Sequence, residues 1–347
     1  MNKYKTVMVT GGSGYFGTIL INYLLKKKVL IKNFDISKPE ETNPNVKYLK
    51  GDILNYNDIN NSLKNVDTIF HNVANLPLAK DKEKYNSINV DGTKNMLEAA
   101  LNNKVRKVIY TSTGAVFGIP KSNPVKDTDI PKPQEEYGLT KYIGEKVCKE
   151  YIKKGISITI IRPNTILGIG RLGTLSLLFK WIDEGYNIPV FSGGGNRYQF
   201  THAEDLSRLC YYSSLEDESQ IYNCAAKDNL TMIEIMTELC EFAKTNSKIR
   251  SVPMWPAILL MNILNFFKLS PLVSYHSLMY GRSIYFDMTK NKERLNWEPK
   301  YTNAEMMIQS YKWYISNKNK LLSNKKNDYD HQAIVKEGFL KYLKKLL

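Results

Sequence analysis

Cysteine and histidine are scarce in this chain of 347 residues, with four of each. The cysteines are Cys148, Cys210, Cys224 and Cys240. Their spacing matches neither a zinc module nor a redox pair. Scattered cysteines are typical of a protein of the reducing cytosol. Neither His71 nor His202 has a partner at metal-ligand spacing, so we expect no metal site.

Long hydrophobic runs are also missing. The most apolar stretch, residues 253–273, has only 14 residues between Pro256 and Pro271. A membrane-spanning helix needs about twenty apolar residues, so this stretch is too short to cross a membrane. We interpret it as a buried helix or a lid over a substrate. Met1 leads directly into the first predicted strand without a signal peptide, which predicts a cytoplasmic location.

Acidic residues are fewer than basic ones, 34 against 49, which gives a formal net charge of +15. The lysines are spread along the whole chain, and no helix-turn-helix, zinc-finger or aromatic–basic RNA signature accompanies them, so nucleic acid is not an expected partner. The basic tail, residues 321–347, has an amphipathic pattern with one apolar face formed by Val335, Phe339, Leu343 and Leu346. This pattern suits docking on the protein, which we favour, or peripheral contact with an anionic membrane.

Short apolar runs alternate with helical patterns through the first half of the chain. The predicted strands are Thr6–Thr10, Val29–Phe34, Val46–Leu49, Thr68–Asn72, Lys107–Thr111, Ser157–Arg162 and one near Tyr222, with helices around Ile19–Leu25, Asp58–Lys64, Ile88–Leu101 and Tyr137–Lys153. This alternation predicts an α/β fold of the Rossmann type, a doubly wound parallel sheet. We expect a cofactor domain over residues 1–165, to which residues 197–226 return. A smaller interleaved substrate region over 166–320 and the tail 321–347 complete the chain.

A glycine-rich turn follows the first strand. Gly12, Gly14 and Gly17 give the spacing G-x-G-x-x-G, and Gly11 with the last two gives G-x-x-G-x-x-G. In both registers glycine permits a tight turn and a close backbone approach to a pyrophosphate at a helix N-terminus. Asp35 ends the second strand, where an acidic side chain binds the adenosine ribose hydroxyls and repels a 2′-phosphate. The pattern therefore favours NAD over NADP.

Tyr137 and Lys141 are four residues apart in a predicted helix, so they share a face. A nearby ammonium favours the phenolate, so we expect Lys141 to lower the pKa of Tyr137 from its usual value near ~10. A tyrosine adjusted in this way can act as a general acid or base.

These segments, in this order, resemble the extended short-chain dehydrogenase/reductases, the NAD-dependent epimerase/dehydratase group. The similar segments are TGGSGYFG (10–17), Gly51–Asp52, HNVA (71–74), NVDGT (89–93), TSTGAVFG (111–118), YGLTK (137–141), IRPNTILGIG (161–170), NRYQFTHAEDL (196–206) and YFDMTKNKERLNWEPKY (285–301). The resemblance implies an NAD site formed by Gly11, Gly12, Gly14, Tyr15, Phe16, Gly17, Asp35, Asp52, Ile53, Val73, Ala74, Asn89, Thr111, Tyr137, Lys141 and Pro163.

The resemblance also implies a reaction. Tyr137 would be the acid/base, Lys141 would bind the nicotinamide ribose, and Thr113, or alternatively Ser112, would hold the substrate oxygen. Gly114 and Ala115 follow Thr113, where the sugar dehydratases of the group carry an Asp-Glu pair, so dehydration is disfavoured. The implied substrate residues are Thr113, Asn164, Arg197 and Arg282. A homodimer is expected by analogy with the family.

Three functions remain open from the sequence. We favour a nucleotide-sugar 4-epimerase or keto-reductase, because Arg197 falls where such enzymes bind a diphosphate and a guanidinium suits phosphate. The alternative is an oxidoreductase similar to the 3-beta-hydroxysteroid dehydrogenases, acting on a hydrophobic or lipid alcohol, because residues 253–273 are so apolar. A non-catalytic NAD-binding sensor is less favoured, since Thr113, Tyr137 and Lys141 are all present.

Overall fold

The computed structural model describes residues 5–75, 84–267, 278–323, 335, 337–338 and 340–344. Its strands are β1 (Thr6–Thr10), β2 (Leu30–Asp35), β3 (Val46–Lys50), β4 (Thr68–His71), β5 (Lys107–Thr111), β6 (Ser157–Pro163), β7 (Ile166–Leu167), β8 (Ile188–Phe191), β9 (Thr201–His202), β10 (Ile221–Cys224) and β11 (Ile249–Val252). The positions of the predicted strands are confirmed, two of them to the residue.

Helices alternate with these strands. They are α1 (Tyr15–Leu25), α2 (Tyr56–Ser62), α3 (Lys84–Asn86), α4 (Gly92–Asn102), α5 (Glu136–Lys153), α6 (Leu175–Asp183), α7 (Ala203–Ser214), α8 (Met232–Ala243), α9 (Met254–Phe266), α10 (Thr289–Leu295), α11 (Asn303–Ser323) and α12 (Leu340–Leu343). One predicted helix starts later than expected: Ser87–Asp91 forms a π-helical turn, and the α-helix begins at Gly92.

Seven strands form one parallel sheet in the order β10-β6-β5-β4-β1-β2-β3. Val7, Met8 and Val9 on the central strand are fully buried. Such a continuous apolar run is expected where helices cover both faces of a parallel sheet. The predicted doubly wound α/β fold is confirmed. The strand order reverses between β1 and β4, which opens a crevice at their carboxyl ends.

The two faces of the sheet carry separate cores. On one face α1 packs against α7, with Leu20 and Leu206 in the shared core. On the other face α4 and α5 bury Met96 and Cys148 against the strands. Each helix buries one apolar side against the sheet, and together they hold the carboxyl edge of the sheet in place.

The second half of the chain builds a further layer. β8 pairs with β11, β7 pairs with β9, and α6, α8 and α11 share a core that includes Phe179 and Leu239. The chain nevertheless returns to the large sheet, because β10 pairs with β6. The domain boundaries that we predicted remain predictions.

Two predicted features fall partly outside the described residues. Within the apolar stretch 253–273, residues 268–273 are not described, and neither is most of the tail, including Phe339 and Leu346. Where the tail is described, Glu337 accepts a hydrogen bond from Trp181 on α6 at 2.9 Å, and Lys344 pairs with Glu184 at 2.7 Å. Across the described ranges, no helix combines the length and apolar character needed to span a membrane.

Candidate active site at the carboxyl edge of the sheet

The turn after β1 requires glycine for steric reasons. Gly11 has a φ of +68°, and a Cβ atom on Gly17 would lie 2.1 Å from the Gly11 carbonyl oxygen. A Cβ atom on Gly12 would meet the Asn33 side chain at 2.3 Å. Gly14 is the N-cap of α1. A Cβ atom added to Gly14 would lie 3.4 Å from its nearest neighbour, the Gly11 carbonyl oxygen. The turn therefore brings bare backbone to a helix N-terminus, which suits a pyrophosphate.

Asp35 stands beside this turn. Its carboxylate accepts hydrogen bonds from the backbone N–H of Ser13 at 3.1 Å and of Ser37 at 2.9 Å. A carboxylate has further acceptor capacity, so Asp35 can still bind ribose hydroxyls. Tyr15 and Phe16, in contrast, are buried in the core beneath α1.

Other predicted cofactor residues follow β3 and β4. Asp52 is exposed at the end of β3, while Ile53 is buried against Gly92. Val73 and Ala74 are half-buried after β4. A Cβ atom added to Gly11 would lie 3.1 Å from the backbone nitrogen of Val73. The loops after β1, β3 and β4 thus meet at the crevice. This arrangement fits NAD.

Asn89 fixes the loop after β4. It is fully buried in the π-helical turn, where its side chain accepts from the Asn75 N–H at 2.8 Å and donates to Thr140 Oγ1 at 3.0 Å. Thr140 is on α5, so one amide ties the cofactor loop to the helix that carries Tyr137 and Lys141. Asn89 is therefore placed to position the site as well as to line it.

His71 links the strands below this loop. Its Nδ1 lies 2.8 Å from Thr10 Oγ1 and its Nε2 lies 3.2 Å from Thr93 Oγ1. Thr93 donates its own proton to the Asn89 carbonyl, so His71 donates from Nε2 and accepts at Nδ1. Burial, followed by the charge of Lys141, lowers the pKa of His71 to about 3. His71 is thus a neutral structural link, and no group of metal-ligating side chains occurs within the residues that the structure describes.

Tyr137 begins α5 and is half-buried. Burial raises its pKa well above the usual range, the carboxylate of Glu135 raises it further, and Thr113 and Arg171 act in the opposite direction. The expected lowering by Lys141 is therefore wrong for this structure. The main reason is the burial of the phenol, and Glu135, which caps α5 and accepts from the Tyr137 N–H at 2.9 Å, raises the pKa further through its negative charge.

Lys141 is buried one turn further along α5. Its ammonium lies 4.2 Å from the centre of the Tyr110 ring, and burial lowers its pKa to about 8. Among the described residues it forms neither a hydrogen bond nor an ion pair. A buried ammonium without such partners is costly unless a ligand supplies them. This observation fits a lysine that binds the hydroxyls of a cofactor ribose.

Thr111, Ser112 and Thr113 follow β5 and have different surroundings. The Thr111 hydroxyl donates a hydrogen bond to the Asn72 side chain at 2.6 Å, so Thr111 lies at the crevice beside the end of β4. Ser112 is buried and donates to Glu145 at 2.7 Å. Thr113 is half-buried and caps the turn Gly114–Phe117, against which the start of α5 packs, and it lowers the pKa of Tyr137. Geometry therefore favours Thr113 over Ser112 as the partner of Tyr137.

The sequence analysis did not predict that Glu145 accepts a hydrogen bond from the Ser112 hydroxyl. Glu145 forms a buried pair with Arg162, with its two oxygens 2.9 and 2.7 Å from the guanidinium. Arg162 also donates to the Asp127 carbonyl at 3.0 Å. A buried pair of this geometry satisfies both charges. It joins α5 to the end of β6.

Sequence reasoning also missed Arg171. Its guanidinium lies 5.3 Å from the Tyr15 ring, and its charge acts on both Tyr15 and Tyr137. It forms no ion pair or side-chain hydrogen bond with the described residues. Gly168, Gly170 and Gly173 around it all have positive φ values. The loop after β7 thus holds a cation between the glycine turn and Tyr137. In the sequence, the only indication of this role is that Arg171 lies in a glycine-rich segment.

The predicted substrate residues are not all in contact with one another. Pro163 ends β6 in the core, and the buried Asn164 donates to the Gln199 carbonyl at 3.0 Å beside the Thr113 turn. Arg197 is exposed, and its guanidinium donates to the Asn229 carbonyl at 2.8 Å. Arg282 lies on the neighbouring segment. Within the described residues, no hydrogen bond or ion pair joins either arginine to Tyr137 or Thr113.

Comparison with known proteins bears on the family and the fold. A sequence model described as "NAD dependent epimerase/dehydratase family" matches residues 7–225. An uncharacterized protein of Sinorhizobium fredii, y4nG, is 43% identical over 98% of this chain and 85% of its own length. The N-acetyl-alpha-D-glucosaminyl-diphospho-ditrans,octacis-undecaprenol 4-epimerase of Escherichia coli O157:H7 is 30% identical over 71% of this chain and 74% of that enzyme.

Two further comparisons bear on the alternatives. The human sterol-4-alpha-carboxylate 3-dehydrogenase, decarboxylating, is 30% identical, but the match covers only 59% of this chain and 56% of that enzyme. A UDP-glucose 4-epimerase from Thermotoga maritima, solved with UDP-glucose, has a TM-score of 0.75 at 20% identity, over 90% of this chain and 99% of that one. At that identity the likeness shows the fold.

Proposed function

Because the chain belongs to the NAD-dependent epimerase/dehydratase family, we propose that it is a nucleotide-sugar 4-epimerase or keto-reductase with Tyr137 as its acid/base. The observation that carries the proposal is the packing of the start of α5 against the turn after β5: a Cβ atom on Gly138, next to Tyr137, would lie 2.6 Å from the carbonyl oxygen of Ala115, whose N–H donates to Thr113. The names of several relatives support the substrate class, including a UDP-N-acetyl-alpha-D-glucosaminuronate decarboxylase of Bacillus cytotoxicus that is 26% identical over 89% of this chain.

The residues can divide the reaction between them. Thr113 donates a hydrogen bond to the substrate oxygen and holds it beside Tyr137. When a carbinol is oxidised, Tyr137 takes the proton from its oxygen as hydride leaves the carbon; when the ketone is reduced, Tyr137 returns a proton to that oxygen. NAD, when bound, supplies the acceptor or donor of the hydride. A 4-epimerase performs both half-reactions and a keto-reductase performs one.

Charge near Tyr137 decides which half-reaction is easier. The raised pKa keeps Tyr137 protonated, which suits donation to a ketone. Oxidation needs the phenolate, and the cation at Arg171 favours it. Arg171 is also placed to bind an anionic group of the substrate, since a guanidinium recognises phosphate or carboxylate well.

Dehydration does not fit this site. The positions after Thr113 are Gly114 and Ala115, which are buried and carry no group that transfers a proton. Glu135 is close to Tyr137, but its oxygens accept backbone N–H groups at the start of α5. These bonds assign Glu135 to the cap of α5, and because Gly114 and Ala115 carry no group that transfers a proton, simple hydride chemistry remains the proposal.

The test is substitution of Tyr137 by Phe, which removes only the hydroxyl. A positioned acid/base contributes about 10²–10⁴-fold in rate, so we expect a loss of that size in turnover of UDP- or dTDP-sugars, with NAD binding retained. Tyr142→Phe on the same helix is the matched control and should leave turnover unchanged. Full turnover by the Tyr137 variant would contradict the proposed role.

A second candidate is the oxidation of a hydrophobic or lipid-linked alcohol. It is favoured by the exposed apolar side chains of α9 and by the partial match to the sterol dehydrogenase. Parallel incubation with nucleotide sugars and with sterol or lipid alcohols, followed by cofactor absorbance and product stereochemistry, separates the two. Binding of lipid alcohols without binding of any nucleotide sugar would replace the first candidate by the second. The cytoplasmic location and the homodimer stay predictions.

A further inference from the structure

Helix α9 is apolar on both of its sides. Met261 and Leu264 are buried and attach it to the rest of the molecule. The opposite side is an exposed stripe at separations of four, four and three residues, formed by Trp255, Leu259, Ile263 and Phe266. A helix that is apolar all round is normally covered on all sides. An exposed apolar surface of this kind marks a contact with a membrane or another molecule.

The charge around α9 indicates what covers it. The 45 residues between Glu241 and Asp287 contain no acidic residue. The same segment carries five cations: Lys244, Lys248, Arg250, Lys268 and Arg282. The first three are exposed and directly precede the helix. A second copy of the chain would bring the same cations against them, whereas anionic lipid headgroups would attract them.

We propose that α9 docks the protein on an anionic lipid bilayer, with its exposed stripe lying between the headgroups and the acyl chains. Its 13 residues correspond to about 20 Å at ~1.5 Å per residue, which is shorter than the ~30 Å hydrocarbon core. The helix therefore lies along the surface. Trp255 is at one end of the stripe and Phe266 at the other, so both ends carry an aromatic ring. This proposal does not depend on the identity of the substrate.

The experiment measures flotation of the full chain with vesicles of phosphatidylcholine alone or mixed with phosphatidylglycerol. The variant Trp255→Ser/Phe266→Ser removes two side chains that are 73% and 81% exposed. Its matched control, Leu30→Ser/Ile130→Ser, removes two that are 65% and 87% exposed elsewhere. All four substitutions are on the surface, and circular dichroism verifies that both variants are folded.

We expect the wild type and the control to bind the anionic vesicles, less strongly at high salt, and the α9 variant to bind at least about tenfold more weakly. Equal binding by the α9 variant, or no binding of the wild type to either vesicle, would overturn the proposal. Light scattering tests whether a second copy of the chain binds the stripe instead. A dimer that only the α9 variant loses, without vesicle binding, would assign the stripe to a second copy of the chain instead.

Discussion

Gly144 lies in the middle of α5, against the ring that supports Lys141. A Cβ atom on Gly144 would stand 2.2 Å from the Tyr110 hydroxyl oxygen, 3.1 Å from Tyr110 Cζ and 3.3 Å from the Asn89 carbonyl oxygen. The Tyr110 hydroxyl is buried and has no hydrogen-bond partner within the part of the chain that the structure describes. We therefore predict that Gly144→Ala displaces Tyr110, and with it the surface on which the Lys141 ammonium lies.

The magnitude follows from two opposing effects. Forcing an extra methyl group into a packed core costs about 1–3 kcal/mol, and Ala is better than Gly inside a helix by about 1 kcal/mol. Gly144→Ala should therefore destabilise the protein by up to about 2 kcal/mol. Tyr110→Phe alone should cost less than about 0.5 kcal/mol, because no hydrogen bond is lost. In the double variant the closest clash is gone and the helical gain remains, so its stability should approach that of the wild type.

The assay is urea unfolding of the wild type, the two single variants and the double variant, followed by circular dichroism. NAD titration of the same four proteins by fluorescence should show affinity lost in Gly144→Ala and recovered in the double variant. Gly195→Ala is the control, since a Cβ atom there meets nothing within 4 Å. If Gly144→Ala were equally costly with Tyr or Phe at position 110, the clash with the hydroxyl would be refuted.

The remaining predictions concern three charged or titratable groups. The pKa of His71 is lowered to about 3, so the stability that neutral His71 contributes is fully present above its pKa in the unfolded chain, near ~6.5, and falls by about 1.4 kcal/mol per pH unit as the pH drops toward 3. Urea titrations between pH 7 and 5 should therefore show that the free energy of unfolding depends less steeply on pH in His71→Asn than in the wild type. An unchanged pH dependence would contradict this. The pKa of Lys141 is lowered to about 8, so NAD affinity should fall about tenfold per unit above that pH, whereas Lys141→Met should bind weakly at every pH. Arg171→Ala should raise KM for an anionic substrate and move the rising limb of the pH profile for oxidation to higher pH, while Arg171→Lys should move it less; identical pH profiles would exclude an electrostatic effect on Tyr137.

Local patterns were enough to predict the scaffold. The strands were recognised because a parallel sheet covered on both faces needs uninterrupted apolar runs, as in Val7–Val9. The glycine turn was recognised because Gly11 and Gly17 meet a backbone requirement that lies within a few residues of sequence. The helix spacing of Tyr137 and Lys141 is equally local. Each of these features depends on neighbours along the chain, so a single sequence contains it.

The properties of the site depend on residues that are distant in sequence. Lys141 lies on the Tyr110 ring instead of acting on Tyr137, and Ser112 is occupied by Glu145. Both contacts cross between α5 and the end of β5, which share one apolar core. The resemblance placed Thr113 first and Ser112 second, and the structure supplies a physical reason, because the Ser112 hydroxyl is buried and donates to Glu145.

The sequence alone therefore determined the fold, the cofactor turn and the identity of the acid/base candidate. Only the tertiary structure decided the charge that Tyr137 experiences, because burial and Glu135 raise its pKa while Arg171, brought in by the loop after β7, opposes them. Electrostatic effects depend on distance through space and on burial, and neither quantity is set by position in the chain.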